Sequence, residues 1–205
     1  MNLPTQLTVL RIILTPFFVY TLFLEHLVFK YISFFIFIVA SLTDLYDGYY
    51  AKKYGYVTKW GKFLDPLADK ILVSSALVSF YCLGYIQLWI ILVIIIRDFF
   101  ITGLRSYALY REQPVVTREL ARWKTFLQMT SVFIVFIFLL IDYQTQYLEN
   151  EIAIVEFLKK IQFTDRLMAF IALFTLFTGL LYFIENRNQI KTFFVSFYRI
   201  FIPSE

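Results

Sequence analysis

Residues 44–69 read DLYDGYYAKKYGYVTKWGKFLDPLAD. The run carries two pairs of carboxylates, Asp44 with Asp47 and Asp65 with Asp69, at spacings of three and four. On a helix, residues three or four apart share a face, so each pair presents its oxygens to a common point. Between the pairs lie Gly48, Gly55 and Gly61 and the lysines Lys52, Lys53, Lys59 and Lys62. Both pairs sit at the ends of segments otherwise apolar enough for a membrane. Four acids in that setting repel one another and are costly to desolvate, and the usual remedy is a divalent cation held by oxygen ligands. An isolated D-x-x-D reads as a solvated helix end. Two such pairs with interleaved glycines and lysines read as a site.

The chain around this run is 205 residues long, 60% hydrophobic, with a mean hydropathy of +0.70. Soluble domains are nearer roughly 45–50% apolar, so the expected class is an all-α integral membrane protein. A span needs about 20 mostly apolar residues. Six transmembrane helices are predicted, at 7–24, 31–50, 66–83, 86–104, 124–141 and 166–184. Residues 1–6 form a short interfacial start, and 1–184 make one membrane domain. The tail 185–205 mixes Arg187, Lys191 and Arg199 with Phe193, Phe194, Phe197, Tyr198 and Phe201, the pattern of an amphipathic helix lying on a membrane surface. No N-terminal segment reads as a cleaved signal peptide.

Charge orients the chain. Arg11, Lys52 to Lys70, Arg97 to Lys124 and the tail fall on the side that holds both termini, whereas Lys30, Lys159, Lys160 and Arg166 fall on the other. The positive-inside rule then places both termini and the acidic run in the cytoplasm, in the cell's inner membrane. The net charge of +4 suits anionic lipid headgroups and does not suggest nucleic acid, since the basic residues flank membrane segments. The outward loop 142–165 contains EIAIVEFLKKI, a candidate surface helix without a catalytic constellation. His26 reads as a surface residue. The single cysteine, Cys82, excludes an intrachain disulfide, and its apolar setting predicts a buried, inert thiol.

Further cations interrupt the apolar runs. Arg11 sits early in the first span, where an arginine is expensive without a partner or a polar cavity. Arg97 and Arg105 lie a little over two turns apart on the fourth, on one face, and make a good anion site. Asp98 is adjacent. Lys124 opens the fifth span.

The 44–69 run resembles the signature of the CDP-alcohol phosphotransferases, D-x2-D-G-x2-A-R-x8-G-x3-D-x3-D. Asp44, Asp47, Gly48, Ala51, Gly61, Asp65 and Asp69 fit every spacing, with Lys52 in place of the arginine. Lysine keeps the charge and loses the bidentate fork. The resemblance implies metal ligation by Asp44, Asp47, Asp65 and Asp69, by Mg²⁺ or Mn²⁺ and with two ions. It makes Asp69 the general base, and it places Gly48, Ala51, Lys52, Thr58 and Gly61 on a CDP-linked lipid. Two further stretches are similar to the phosphatidylglycerophosphate synthase branch. Asn2, Pro4, Thr8, Arg11 and Pro16 match its amino-terminal segment. Arg97-Asp98 through Arg105, with Arg122, Lys124, Thr125 and Gln128, match its R-E-x-x-I-T-x-L-R and K-x-K-T-x-x-Q runs, Asp98 replacing Glu. That branch implies CDP-diacylglycerol as donor, sn-glycerol 3-phosphate as acceptor, membrane lipids as surroundings and a homodimer.

The chemistry agrees with this. Two metal ions about 3.5–4 Å apart can bridge a pyrophosphate, and a carboxylate can take the proton of an attacking hydroxyl. These are the requirements of phosphoryl transfer, where positioning and charge neutralisation dominate. A phosphorylated acceptor needs its own cationic pocket, and Arg11, Arg97, Arg105 and Lys124, with Thr8, are the candidates. Phosphatidylglycerol, inositol phosphate or serine are alternative acceptors. A cation transporter would place its polar residues near the midplane on broken helices. Here the acids gather at one membrane edge.

Overall fold

The computed structural model describes residues 3–54, 59–110, 119–149, 152–187 and 190, with side chains throughout except at 3–5, 44, 45, 47–54, 59–66, 109 and 110. Among these residues there are helices and no strands: α1 (Leu3–Phe23), α2 (Leu27–Tyr54), α3 (Lys59–Cys82), α4 (Leu88–Tyr110), α5 (Glu119–Tyr147), α6 (Ala153–Lys160) and α7 (Phe163–Glu185). Six coincide with the six predicted apolar runs, and α6 is the expected short helix of the 142–165 loop. The helices overrun the apolar stretches at their polar ends. α5 begins at Glu119 and ends at Tyr147, because a helix continues past the bilayer wherever its residues still favour it. The N-terminal segment continues into α1 from Leu3 rather than forming a separate element. The tail beyond Ile190 lies outside the described residues.

Among the described residues three helices are long and apolar enough to cross a membrane by length and composition: Gln6–Phe23, Glu119–Tyr147 and Phe163–Glu185. Leu27–Thr43 of α2 is a shorter apolar stretch. The surface agrees with a lipid setting. Phe17, Phe35, Phe126, Phe170, Phe177 and Ile184 are all exposed, an apolar face that water would drive to aggregate.

The interior is built on phenylalanine. Phe136 of α5 has no exposed surface and meets Phe18 of α1 at 5.9 Å, Phe37 of α2 at 5.8 Å and Phe80 of α3 at 5.5 Å between ring centroids. The Phe80 contact is edge-to-face at 90°, the arrangement the ring quadrupoles favour. α1 packs on α2 and α3, α4 on α3 and α7, and α5 on α2, α3 and α7.

Polar groups gather at the two ends of this core. At one end Asp142 of α5 accepts from the Tyr85 hydroxyl at 2.7 Å and from Gln146 Nε2 at 3.1 Å, and pairs with Lys159 of α6. Thr164 Oγ1 of α7 donates to the Tyr85 carbonyl at 2.7 Å. Tyr85 follows Gly84, whose φ of +81° ends α3: Tyr85 N–H bonds to the Phe80 carbonyl and Gly84 N–H to the Tyr81 carbonyl, a left-handed cap that favours glycine.

Two expectations are corrected. Cys82 is exposed. It lies in the last turn of α3 on an outward face, and in a protein with an apolar exterior an apolar run does not imply burial. Lys30, expected in the loop between the first two spans, is buried within α2. Its Nζ donates to the Leu22 carbonyl in the last turn of α1, which has no intrahelical donor, and sits 4.3 Å from the centroid of the Tyr143 ring. His26 is exposed, as expected.

Phe136→Ala is expected to destabilise the protein by about 3–5 kcal/mol, seen as a lower melting temperature in detergent. Phe177→Ala, on the outer face, should leave the melting temperature nearly unchanged. Equal effects would remove Phe136 from the centre of the packing.

Candidate functional site

The other polar end is formed where α2 and α4 finish and α3 and α5 begin. The backbone of Asp44 and Asp47 is helical near the end of α2, and that of Asp65 and Asp69 near the start of α3, so each pair lies at helical spacing. The side chains of Asp44, Asp47, Gly48, Ala51, Lys52, Gly61 and Asp65 are outside the described set, and Thr58 lies outside the described residues. Asp69 is described. Its side chain is 22% exposed and stands 3.6 Å from Lys70 Nζ.

Asp69 lies on the wall of a cavity of about 700 Å³ between α2, α3 and α5. Helical spacing decides what lines it: Ile38, Ser41 and Leu42 from α2, Asp69, Lys70 and Val73 from α3, and Arg122, Thr125, Phe126, Met129 and Phe133 along one face of α5. Arg105 of α4 and Gln128 of α5 complete its polar part. From Ala121 to Phe133 the wall descends about 18 Å along α5, passing from charged and hydroxyl groups to apolar ones. The cavity is therefore amphiphilic, polar at the helix ends and greasy toward the aromatic core.

Behind it sits a buried ionic cluster. Asp98 of α4 is 4% exposed. Its Oδ1 accepts from Lys124 Nζ of α5 and from Arg97 Nη1 at 3.2 Å, and its Oδ2 lies 3.5 Å from Lys70 Nζ of α3. Three cations from three helices thus surround one carboxylate. Arg97 also donates through Nη2 to Thr178 Oγ1 of α7 at 3.0 Å. Arg97 and Arg105 both line a narrow pocket of about 20 Å³ against α7, together with Thr178, Tyr182 and Glu185. The two arginines do share a face, as their spacing predicts.

The acceptor candidates divide into three groups. Arg105 faces the cavity. Arg97 and Lys124 are engaged by Asp98 behind it. Thr8 and Arg11 are fully buried on α1 and do not belong to the described cavity wall. Asp98 thereby gains the partners that sequence left open. Lys70, Thr178 and Tyr182 were not singled out from sequence. The available signals were a lysine directly after the last acid of the motif, and hydroxyl residues at i,i+4 spacing on an otherwise apolar α7.

Carboxylate oxygens are hard donors suited to Mg²⁺ or Mn²⁺. Asp69, partly exposed on a polar wall, fits that role. Among the described residues no group of three or more His, Cys, Asp or Glu comes together, the other three motif acids having no described side chain.

Residues 1–177 match the family described as CDP-alcohol phosphatidyltransferase. A Bacillus subtilis protein named CDP-diacylglycerol–glycerol-3-phosphate 3-phosphatidyltransferase is 34% identical over 208 residues, covering 93% of this chain and 98% of its own. A Rickettsia bellii protein of the same name is 37% identical over 131 residues, covering 64% of this chain and 72% of its own.

Asp98→Asn keeps the shape and removes the counter-charge shared by the buried Lys124 and the partly exposed Arg97 and Lys70. It is expected to destabilise the protein by about 3–5 kcal/mol, visible as a lower melting temperature in detergent. Lys124→Met, which leaves Asp98 with two cations, should cost less. The reverse order would displace Asp98 from the centre of the cluster.

Proposed function

This chain belongs to the CDP-alcohol phosphatidyltransferase family, and on that premise we propose that it transfers the phosphatidyl group of CDP-diacylglycerol to sn-glycerol 3-phosphate, yielding phosphatidylglycerophosphate and CMP. The observation that carries the choice of acceptor is the gathering of four cations from three helices beside the cavity, among the described residues. Asp98 is ringed by Arg97, Lys70 and Lys124 while Arg105 stands on the cavity wall. Cations gathered in a partly desolvated site favour an anionic ligand beside them. A phosphorylated alcohol brings a phosphate dianion, whereas serine brings a carboxylate offset by its own ammonium group and an unphosphorylated polyol brings no charge. The names of the Bacillus subtilis and Rickettsia bellii relatives support the same acceptor.

The amphiphilic cavity suits the donor. Acyl chains lie against Ile38, Leu42, Val73, Phe126, Met129 and Phe133, and the headgroup meets Asp69, Lys70 and Arg105. Asp44, Asp47, Asp65 and Asp69 are the residues that would hold the divalent cations. When bound, such ions neutralise the pyrophosphate and stabilise the leaving phosphate. Asp69 takes the proton of the acceptor hydroxyl as its oxygen bonds to the lipid-side phosphorus. The bond from that phosphorus to the bridging oxygen breaks, and CMP leaves with the electron pair. α1 to α5 and α7 span the inner membrane, with the cavity at the cytoplasmic edge and α6 on the outward side.

The experiment is CMP release by purified protein in detergent with CDP-diacylglycerol, Mg²⁺ or Mn²⁺ and a panel of acceptors. Release is expected with glycerol 3-phosphate. Asp69→Asn should lower turnover by about 10²–10⁴-fold while the CDP-lipid still binds. Release only with another alcohol would overturn the acceptor, and a near-normal rate for Asp69→Asn would remove it as base.

A further inference from the structure

α7 carries almost no charge in its interior, yet its inward face is polar. Thr175, Thr178, Gly179 and Tyr182 are buried there in one i,i+3,i+4 stripe, turned toward α4. Thr178 Oγ1 donates to the Thr175 carbonyl at 3.0 Å, which leaves its lone pairs for Arg97 Nη2, also at 3.0 Å. A Cβ at Gly179 would lie 3.4 Å from both Cγ and Nε of Arg97, so any larger side chain would occupy the path the arginine takes across α7. One turn on, the Arg105 guanidinium is 5.7 Å from the centroid of the Tyr182 ring and within hydrogen-bonding reach of its hydroxyl.

We infer that Thr178 and Tyr182 are positioning residues for the phosphate of the acceptor, α7 serving as the backing wall that fixes Arg97 and Arg105. The inference rests on the acceptor reading above and extends it to a helix that no motif points to. Arg105 lines both the narrow pocket against α7 and the large cavity. Tyr182 packs beside the Arg105 guanidinium and limits its movement, and Arg105 stands on the wall of the same cavity that Asp69 lines. Thr178 holds Arg97 against Asp98, and Asp98 in turn fixes Lys70 on the cavity wall. An arginine reads a phosphate bidentately only when its plane is set beforehand. Without that support the charge would remain and the geometry would loosen, which weakens acceptor binding rather than the chemical step.

The test uses two near-isosteric changes, Thr178→Val and Tyr182→Phe, in full-length protein in detergent. CMP release is measured while glycerol 3-phosphate and CDP-diacylglycerol are titrated in turn. Each variant should raise the KM for glycerol 3-phosphate by about tenfold, with kcat and the KM for CDP-diacylglycerol unchanged. Inorganic phosphate as a competing inhibitor should weaken in parallel. Thr178→Ser, which restores the acceptor oxygen, should recover the wild-type KM. An unchanged KM, a loss shared equally by both substrates, or a serine variant as impaired as the valine one would overturn the inference. If the wild-type protein accepts only a different alcohol, the functional reading falls, and the shift in phosphate inhibition alone then decides the role of α7.

Discussion

The polar end of the bundle depends on one buried carboxylate. Asp98 collects Lys70 from α3, Arg97 from α4 and Lys124 from α5. In lipid, apolar faces gain little by meeting one another, so packing and polar contacts decide how helices register. The phenylalanine core fills space but is tolerant of sliding. A charge cluster is not, because each ion displaced from its partner would be left alone in a poorly polarisable medium. The contact that assembles the site therefore also sets the relative heights of three helices.

Core and site are two lengths of the same elements. α5 supplies Phe136 to the aromatic centre and, between two and four turns earlier, Lys124, Thr125 and Gln128 to the polar end. α3 does the same with Phe80 and with Asp69 and Lys70. The descent from ionic to apolar surface along the cavity is a consequence of this division. It matches a substrate whose reacting group is water-soluble and whose tails are not.

Much of this was legible in the sequence. Apolar runs marked six helices because a bilayer imposes length and hydropathy together, and the doubled acidic motif falls at the helix ends that border the large cavity. The partners of Asp98 were not legible, since Lys70 and Lys124 are far from it along the chain and only helix packing brings them together. Thr178 and Tyr182 escaped notice because uncharged polar residues on an apolar helix resemble filler until a guanidinium is seen against them. Cys82 and Lys30 misled for the opposite reason. Inference from hydropathy assumes an apolar interior and a polar exterior, and this protein turns an apolar exterior to its surroundings while burying a lysine against a helix end and a ring.

The bundle's two ends are unlike. One holds a deep amphiphilic cavity, and the other is tied by Asp142 to Tyr85, Gln146 and Lys159, with Thr164 fastened to the same turn. On the proposed reaction, a lipid that enters and leaves by the cavity stays in the monolayer from which it came. The new anionic lipid would thus be made on one face of the bilayer only, and its spread to the other face would fall to separate flip-flop machinery.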